Sequence, residues 1–174
     1  MEIITKFTIA TDEGTAMLFD LTRKLANEKF SSLVHQNVLN EYIENTFNKK
    51  KLIVDMNDLG NQWLTVYVDH IAVGYAKITS KGKRPQILEN KRSVRISDFA
   101  ILSEYNEEAV IDSLFNRCIA VSKNREGVWV NAYLENPYIS FFENKGFVKQ
   151  PEKYQHEELA LPSVCLVSMN DSSK

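Results

Sequence analysis

The chain has 174 residues, of which 44% are hydrophobic and 25% are charged. That composition is typical of a globular protein with a sizeable core, and we expect one domain over residues 1–174. Lys and Arg together number 21 against 23 Asp and Glu. This near-neutral charge gives no reason to expect binding to nucleic acid or to a membrane surface.

The cysteines and the opening segment favour a reducing compartment. Cys118 and Cys165 lie far apart in the sequence, which favours small buried thiols over a disulfide or a catalytic cysteine. The segment MEIITKF lacks the basic stretch and the apolar run of a secretory leader. No apolar run is long enough to span a bilayer. We therefore predict a cytoplasmic protein.

The first part of the chain predicts a strand followed by two helices. Residues 2–10 are rich in β-branched side chains, and Thr11 or Asp12 can cap a helix over residues 13–29. A second apolar stripe at helical spacing predicts a helix over residues 37–48.

Three lysines follow the second predicted helix, at residues 49–51. Positive charge is favourable near a helix C-terminus, so we interpret them as the solvated basic end of that helix. Residues 52–59 do not decide between a helix and irregular chain.

Two apolar runs on either side of an Asp-His dipeptide come next. Residues 62–68 and 71–79 have strand composition, and the dipeptide suits a two-residue turn. They predict an antiparallel hairpin that lies next to a strand at residues 94–102. Gly74 within the second run predicts a bulge or a close backbone approach.

Residues 93–147 form the stretch around which the rest of the chain is arranged. An apolar run is followed by a helical pattern at residues 107–123 and a second apolar run at residues 128–134. A short aromatic helix and a Gly-Phe dipeptide complete the stretch.

Two strands joined by a helix are usually parallel neighbours, and ligands gather where the carboxyl ends of such strands meet a helix N-terminus. A final strand is predicted at residues 163–169.

Two motifs in this stretch resemble the GCN5-related N-acetyltransferase (GNAT) superfamily. FAILSEY at residues 99–105 resembles the strand that leads into the family's pyrophosphate loop. NPYISFFENKGF at residues 136–147 resembles the family's Asn-x-x-Ala-x-x-Phe-Tyr-x-x-x-Gly-Phe box. The resemblance covers nearly the whole chain, and short matches in the first half resemble the polyamine-acetyltransferase-like branch. It implies an α/β GNAT-like (acyl-CoA N-acyltransferase) fold, a mixed and mostly antiparallel sheet with helices on both faces.

The same resemblance implies transfer of an acetyl group from acetyl-CoA to a small amine. One backbone N–H would polarise the thioester carbonyl, a base would take the amine proton, and a loop at a helix N-terminus would hold the pyrophosphate. The family's cofactor-binding positions correspond here to Phe99, Ile101, Asn106, Ala109, Ile111, Asn136 and Phe142.

Two features depart from the family pattern. The loop from Asn106 to Ile111 contains no glycine, so Ala109 and Ile111 place side chains where backbone approaches phosphate closely. Phe142 stands where the family has a tyrosine acid, and Tyr138, one helical turn earlier, is the candidate replacement. These departures favour an alternative, a catalytically silent GNAT relative that serves as a binding or regulatory module.

Asp98 is the leading candidate for the base. A carboxylate within an apolar strand needs a partner, and Arg92 or Arg95 could supply it. Glu41 and Glu44 share a helical face and are alternative bases or amine-binding groups, although two solvated carboxylates explain them equally well.

The remaining polar residues leave ligands and partners open. Asn136 fits either a hydrogen bond to the cofactor arm or a turn before Pro137. The three histidines, His35, His70 and His156, show no metal-ligand spacing, and we expect no metal. A homodimer is compatible with the sequence, which does not decide the oligomeric state.

Overall fold

The structure, a computed structural model, describes residues 1–155 and 159–170, with the backbone alone at Gln155. It contains two compact units, which are Met1–Ile78 with Asp98–Ala120 and Thr79–Ser97 with Val121–Lys174. These are called the first and the second unit below. The expectation of one domain over residues 1–174 stays a prediction.

The first unit combines three helices with the first strands of a sheet. Its elements are β1 (Ile3–Thr8), α1 (Asp12–Phe30), α2 (Gln36–Thr46), α3 (Lys49–Asn57), β2 (Asn61–Val68), β3 (Ile71–Thr79), the end of β4 (Ser93–Ile101) and most of α4 (Glu108–Val121). The strand order is β1-β2-β3-β4, and β1 is antiparallel to β2. Thr11 caps α1 by accepting the N–H of Gly14 at 3.0 Å, which confirms one of the two predicted caps.

The predicted hairpin is confirmed. β2 and β3 are joined by Asp69 and His70 alone, whose φ angles are 45° and 69°. This left-handed conformation matches the twist of the flanking strands in a two-residue turn. β3 is also the neighbour of β4, as predicted. A Cβ built on Gly74 would lie 2.7 Å from the carbonyl oxygen of Ala100, so the predicted close backbone approach is confirmed as well.

Gly74→Ala is expected to lower the free energy of unfolding by about 2 kcal/mol, because the added methyl must displace the backbone at Ala100. Urea denaturation measures the loss. Gly146→Ala is the control: its φ is +89° and nothing lies within 4 Å of a built Cβ. Alanine there adds backbone strain without overlap and should cost about 1 kcal/mol. A loss at Gly74 no larger than the loss at Gly146 would contradict the packing argument.

The interpretation of residues 49–51 as a helix C-terminus is wrong. These lysines begin a third helix, α3, and Asn48 is its N-cap, accepting the N–H of Lys51 at 2.9 Å. Asn48 has extended backbone, with φ −87° and ψ 153°, so α2 cannot continue through it. Burial of Leu52 at 1% exposure anchors α3 by its apolar face. An asparagine cap and a buried leucine therefore outweigh the unfavourable charge at this N-terminus.

The second unit contains the start of β4 and the remaining strands. They are β5 (Gly127–Tyr133), β6 (Val148–Lys149), β7 (Tyr154–Gln155) and β8 (Pro162–Met169), with a short helix α5 (Ile139–Asn144). The order is β4-β5-β8-β6, with β7 on β8. β4 is parallel to β5 from Ser93↔Gly127 to Ile96↔Val130, whereas β8 is antiparallel to its neighbours. The predicted parallel pair, the final strand and the mostly antiparallel α/β class are confirmed.

Both thiols are reduced and buried, as predicted. In the first unit, burial raises the pKa of Cys118 far above its ordinary value. In the second unit, Cys165 packs with Leu88, Trp129 and Val167, and burial raises its pKa to about 12. A nucleophilic cysteine acts as the thiolate, so neither is suited to covalent catalysis. Among the described residues, no helix is long and apolar enough to cross a membrane.

Candidate active site

In the first unit, the carboxylate of Asp98 is the centre of a half-buried polar cluster. Lys29 Nζ lies 2.8 Å from Oδ1, and the N–H of Phe99 donates to the same oxygen at 3.0 Å. The hydroxyl of Tyr75 donates to Oδ2. The Asp98 and Lys29 side chains are only 20% and 13% exposed, which makes their ion pair stronger than one on the open surface.

Asp98 has partners, as predicted, but they are Lys29 and Tyr75 rather than Arg92 or Arg95. Arg95 lies three residues away on β4, and side chains three apart on a strand point to opposite faces. Its guanidinium instead lies 5.0 Å from the ring centre of Trp129. Arg92 pairs with Glu126 at 3.5 Å. The partners of Asp98 come instead from α1 and β3.

Aromatic rings surround this ion pair. The Lys29 ammonium is 5.2 Å from the ring centre of Phe30 and 5.9 Å from that of Tyr75. Tyr75 is fully buried, and burial, followed by the adjacent Asp98 charge, raises the pKa of its phenol well above the ordinary value. The phenol therefore stays protonated and donates to the carboxylate. A primary ammonium between a carboxylate and aromatic faces is the chemistry by which proteins bind amines.

A second carboxylate orients the ring next to Tyr75. Trp63 and Tyr75 have ring centres 5.6 Å apart. Asp55 accepts the indole N–H of Trp63 at 2.7 Å and pairs with Lys77 Nζ, also at 2.7 Å. Lys77 Nζ lies 5.4 Å from the centre of the Trp63 ring. Two acid–lysine pairs thus hold the Trp63–Tyr75 face in one arrangement.

A 3₁₀ turn, Ser103–Tyr105, leads into the loop that the resemblance assigns to pyrophosphate. Its backbone N–H groups are largely engaged within the first unit. Ser103 donates to the Glu28 carboxylate at 3.0 Å, Tyr105 donates to the Leu102 carbonyl at 2.9 Å, and Glu107 donates to the Tyr105 carbonyl at 2.8 Å. The Glu28 carboxylate on α1 therefore already accepts the N–H of Ser103, at the start of the turn that leads into this loop.

The three predicted loop residues lie at the end of this turn and the start of α4. Asn106 ends the 3₁₀ turn, and Ala109 is exposed in the first turn of α4. Ile111 is half-buried, and its N–H donates to the Glu107 carbonyl at 3.0 Å. Glu107 and Glu108 are exposed beside them. The N-terminus of α4 is therefore present, but the residues at it are the carboxylates Glu107 and Glu108 rather than glycines.

Three predicted residues belong to the second unit. Asn136 Oδ1 accepts the N–H of Tyr138 at 2.8 Å, which is the turn interpretation of this residue. Tyr138 is 6% exposed and Phe142 is 1% exposed. The Phe142 ring lies 5.9 Å from that of Phe141 and 5.2 Å from that of Phe147. Phe142 is therefore part of an aromatic cluster. The cofactor roles of Asn136 and Phe142 and the acid role of Tyr138 stay predictions.

Glu41 and Glu44, the alternative acidic candidates, lie on α2. Glu44 pairs with Arg23, and the hydrogen bond from Arg23 lowers the pKa of the Glu44 carboxyl. Glu41 is exposed. Within residues 1–155 and 159–170, no three His, Cys, Asp or Glu side chains are grouped as metal ligands; His156 lies outside these residues.

Lys29, Tyr75 and Glu28 make contacts at this site that the sequence did not predict. Tyr75 carries a weak signal, a phenol within an otherwise apolar strand that must find a hydrogen-bond partner when buried. Lys29 and Glu28 lie in the last turns of α1, where charged residues are ordinarily solvated, so nothing in the local pattern marks them.

The fold is that of the GNAT acetyltransferases, although no protein-family model matches the sequence. The PaiA N-acetyltransferase of Thermoplasma acidophilum in complex with coenzyme A superposes with TM-score 0.77 at 12% identity, over 97% of this chain and 99% of that one. A GCN5-related N-acetyltransferase of Rhodopseudomonas palustris gives TM-score 0.69 at 12% identity, over 97% and 96%. The N-acyl amino acid synthase FeeM from uncultured soil microbes gives 0.66 at 11%, over 98% and 92%. The implied GNAT fold is thus confirmed, whereas the polyamine-acetyltransferase-like branch stays a prediction.

Proposed function

We propose that the chain is an acyl-CoA-dependent N-acyltransferase that moves an acetyl group from acetyl-CoA to a small amine. The observation that carries this proposal is the position of the Lys29 ammonium, which lies between the Asp98 carboxylate and the rings of Phe30 and Tyr75. The GNAT fold supports it, since the similar PaiA protein was solved with coenzyme A. The predicted cytoplasmic location is compatible with a supply of acetyl-CoA.

In this proposal the end of β4 supplies the groups nearest the reaction. Backbone groups of Phe99 and Ile101 line the arm of the thioester, and Asp98 accepts a proton from the attacking amine. Tyr138 is the proposed acid for the leaving thiolate. Lys29 holds Asp98 in the present arrangement, so an amine acceptor must displace Lys29 or share the carboxylate with it.

The alternative is a catalytically silent GNAT relative, and the loop geometry favours it. Glu28 takes the N–H of Ser103, and Glu104, Glu107 and Glu108 are all exposed near the start of α4. Carboxylates and phosphates compete for the same backbone donors and repel each other. Weak affinity for coenzyme A is therefore the expected property of the unmodified chain.

Acetyl-CoA titration by calorimetry tests both readings. Glu108→Gly combined with Ile111→Gly is expected to tighten binding about tenfold, because it removes one charge and opens the backbone to phosphate. Glu13→Gly, which removes an exposed acid from the first turn of α1, is the matched control and should change nothing. Equally tight binding by the parent and the double variant would show that the glycine-free loop is no obstacle.

The activity itself is measured by release of free thiol with a panel of polyamines and arylamines, and mass spectrometry identifies the acetylated product. Acetyl-CoA binding with turnover supports the enzyme. Binding without turnover on any amine supports the silent module.

A further inference from the structure

The outer edge of β1 is a ready pairing surface. Among the residues that the structure describes, β1 has β2 as its one strand neighbour. The N–H of Asp69 donates to the carbonyl of Glu2 at 2.9 Å, so even-numbered residues of β1 point their backbone groups toward β2. In an antiparallel ladder the direction alternates, and Ile3 and Thr5 therefore present their N–H and C=O groups to the open edge. Such an edge is a template for another strand.

The side chains of β1 and of Glu2, the residue that precedes it, are self-complementary. Glu2, Ile4 and Lys6 lie on one face, beside Tyr67 and His70, where they line a shallow cleft. Ile4 is 41% exposed. A two-fold axis at Ile4 would place Glu2 opposite the partner's Lys6, Ile4 opposite its own copy, and Lys6 opposite the partner's Glu2. Opposite charges facing each other across strands are stabilising.

The direction of the backbone hydrogen-bonding groups, which alternates between even-numbered and odd-numbered residues of β1, agrees with this register. With the axis at Ile4, Ile3 lies opposite the partner's Thr5, and these are the residues whose backbone donors and acceptors point outward. An axis at Lys6 keeps the same parity but places two lysines face to face, which is destabilising. An axis at Thr5 keeps the parity and forms no Glu–Lys pair. Charge and hydrogen bonding together select one register.

We propose that β1 is a homodimer interface, in which two copies pair antiparallel about a two-fold axis at Ile4. The occupant is a second copy of this chain because a symmetric contact requires a patch to complement itself, and the Glu2–Ile4–Lys6 pattern does. The proposal is independent of acetyl transfer, since it uses no residue of the candidate active site.

Charge reversal tests the register. Sedimentation velocity over a concentration series should show a monomer–dimer equilibrium for the parent. Glu2→Lys alone, or Lys6→Glu alone, should weaken dimerisation about tenfold, since both symmetry-related pairs become repulsive. The double reversal should restore it. Lys50→Glu, at an exposed position on α3, makes the same change in net charge as Lys6→Glu and should leave the equilibrium unaltered.

A cysteine at the axis gives a second, geometric test. Directly opposed residues of a non-hydrogen-bonded pair have Cα atoms about 4.5 Å apart, which is within reach of a disulfide. Mild oxidation of Ile4→Cys should therefore produce a covalent dimer, whereas Val38→Cys, exposed on α2 at 42%, should not. The native thiols are buried and should not interfere. A parent that stays monomeric, or a dimer indifferent to both charge reversal and Ile4→Cys oxidation, overturns the proposal.

Discussion

Asp98→Ala is expected to lower the free energy of unfolding by about 3 kcal/mol, the low end of the loss caused by removing one partner of a buried ion pair, because this pair is partly buried. The substitution leaves the Lys29 ammonium, 13% exposed, without its carboxylate. It also removes the acceptor of the fully buried Tyr75 hydroxyl, and a buried polar group that loses its partner is costly. Urea denaturation at neutral pH measures the change.

A double-mutant cycle separates the ion pair from general damage to the core. Lys29→Met should also destabilise, and Asp98→Ala with Lys29→Met should cost clearly less than the sum of the two. The control is the Lys24–Glu104 pair, whose side chains are 55% and 62% exposed. Truncating either of these should cost below about 1 kcal/mol. Additive losses at Asp98 and Lys29 would show that the pair is not coupled.

The catalytic role of Asp98 can be tested with a side chain of the same size and shape that lacks the carboxylate. Once turnover is measurable, Asp98→Asn should lower kcat by about 10²–10⁴-fold if Asp98 is the base. Tyr75→Phe keeps the carboxylate and loses only its hydrogen bond, so a smaller effect is expected. An Asp98→Asn variant with unchanged kcat would assign Asp98 a structural role alone.

The elements that sequence predicts well here are those with local causes. The hairpin follows from two apolar runs on either side of an Asp-His turn, and α1 follows from a Thr cap and an apolar stripe. The start of α3 was missed because three lysines have the charge preference of a helix C-terminus. The competing signal, Asn48 as an N-cap, was equally local, and it outweighs charge because it satisfies a backbone N–H directly.

The candidate site was predictable only in part, because its contacts are not local. The position of Asp98 in an apolar strand predicted that its carboxylate has a partner. The partners themselves are distant in sequence, because Tyr75 lies 23 residues from Asp98 and Lys29 lies 69 residues away. Only the packing of α1 and β3 against the end of β4 brings them together. The apolar strand pointed to Asp98 and the family resemblance pointed to the loop, yet neither could show that Glu28 accepts a backbone N–H of the preceding turn.

The aromatic box gives the last prediction, which concerns Phe142. Phe142→Tyr alone should give no gain in acetyl transfer and should cost about 1–3 kcal/mol of stability, since a hydroxyl is added to a ring that is 1% exposed. Phe147→Tyr is the matched control, because Phe147 belongs to the same ring cluster and is 3% exposed. The control should show a similar cost in urea denaturation.

Combining Phe142→Tyr with Glu108→Gly and Ile111→Gly is expected to produce measurable thiol release. The glycines admit the phosphates, and the phenol supplies an acid for the thiolate, a role that contributes about 10²–10⁴-fold. Phe147→Tyr on the same loop background should not produce it, because Phe147 does not stand at the family's tyrosine position. Turnover by the unmodified chain at ordinary enzymatic rates would refute the silent module and leave the acid role with Tyr138 or with solvent. Inactivity of the triple variant despite tight acetyl-CoA binding would instead show that the missing tyrosine is not what silences the chain.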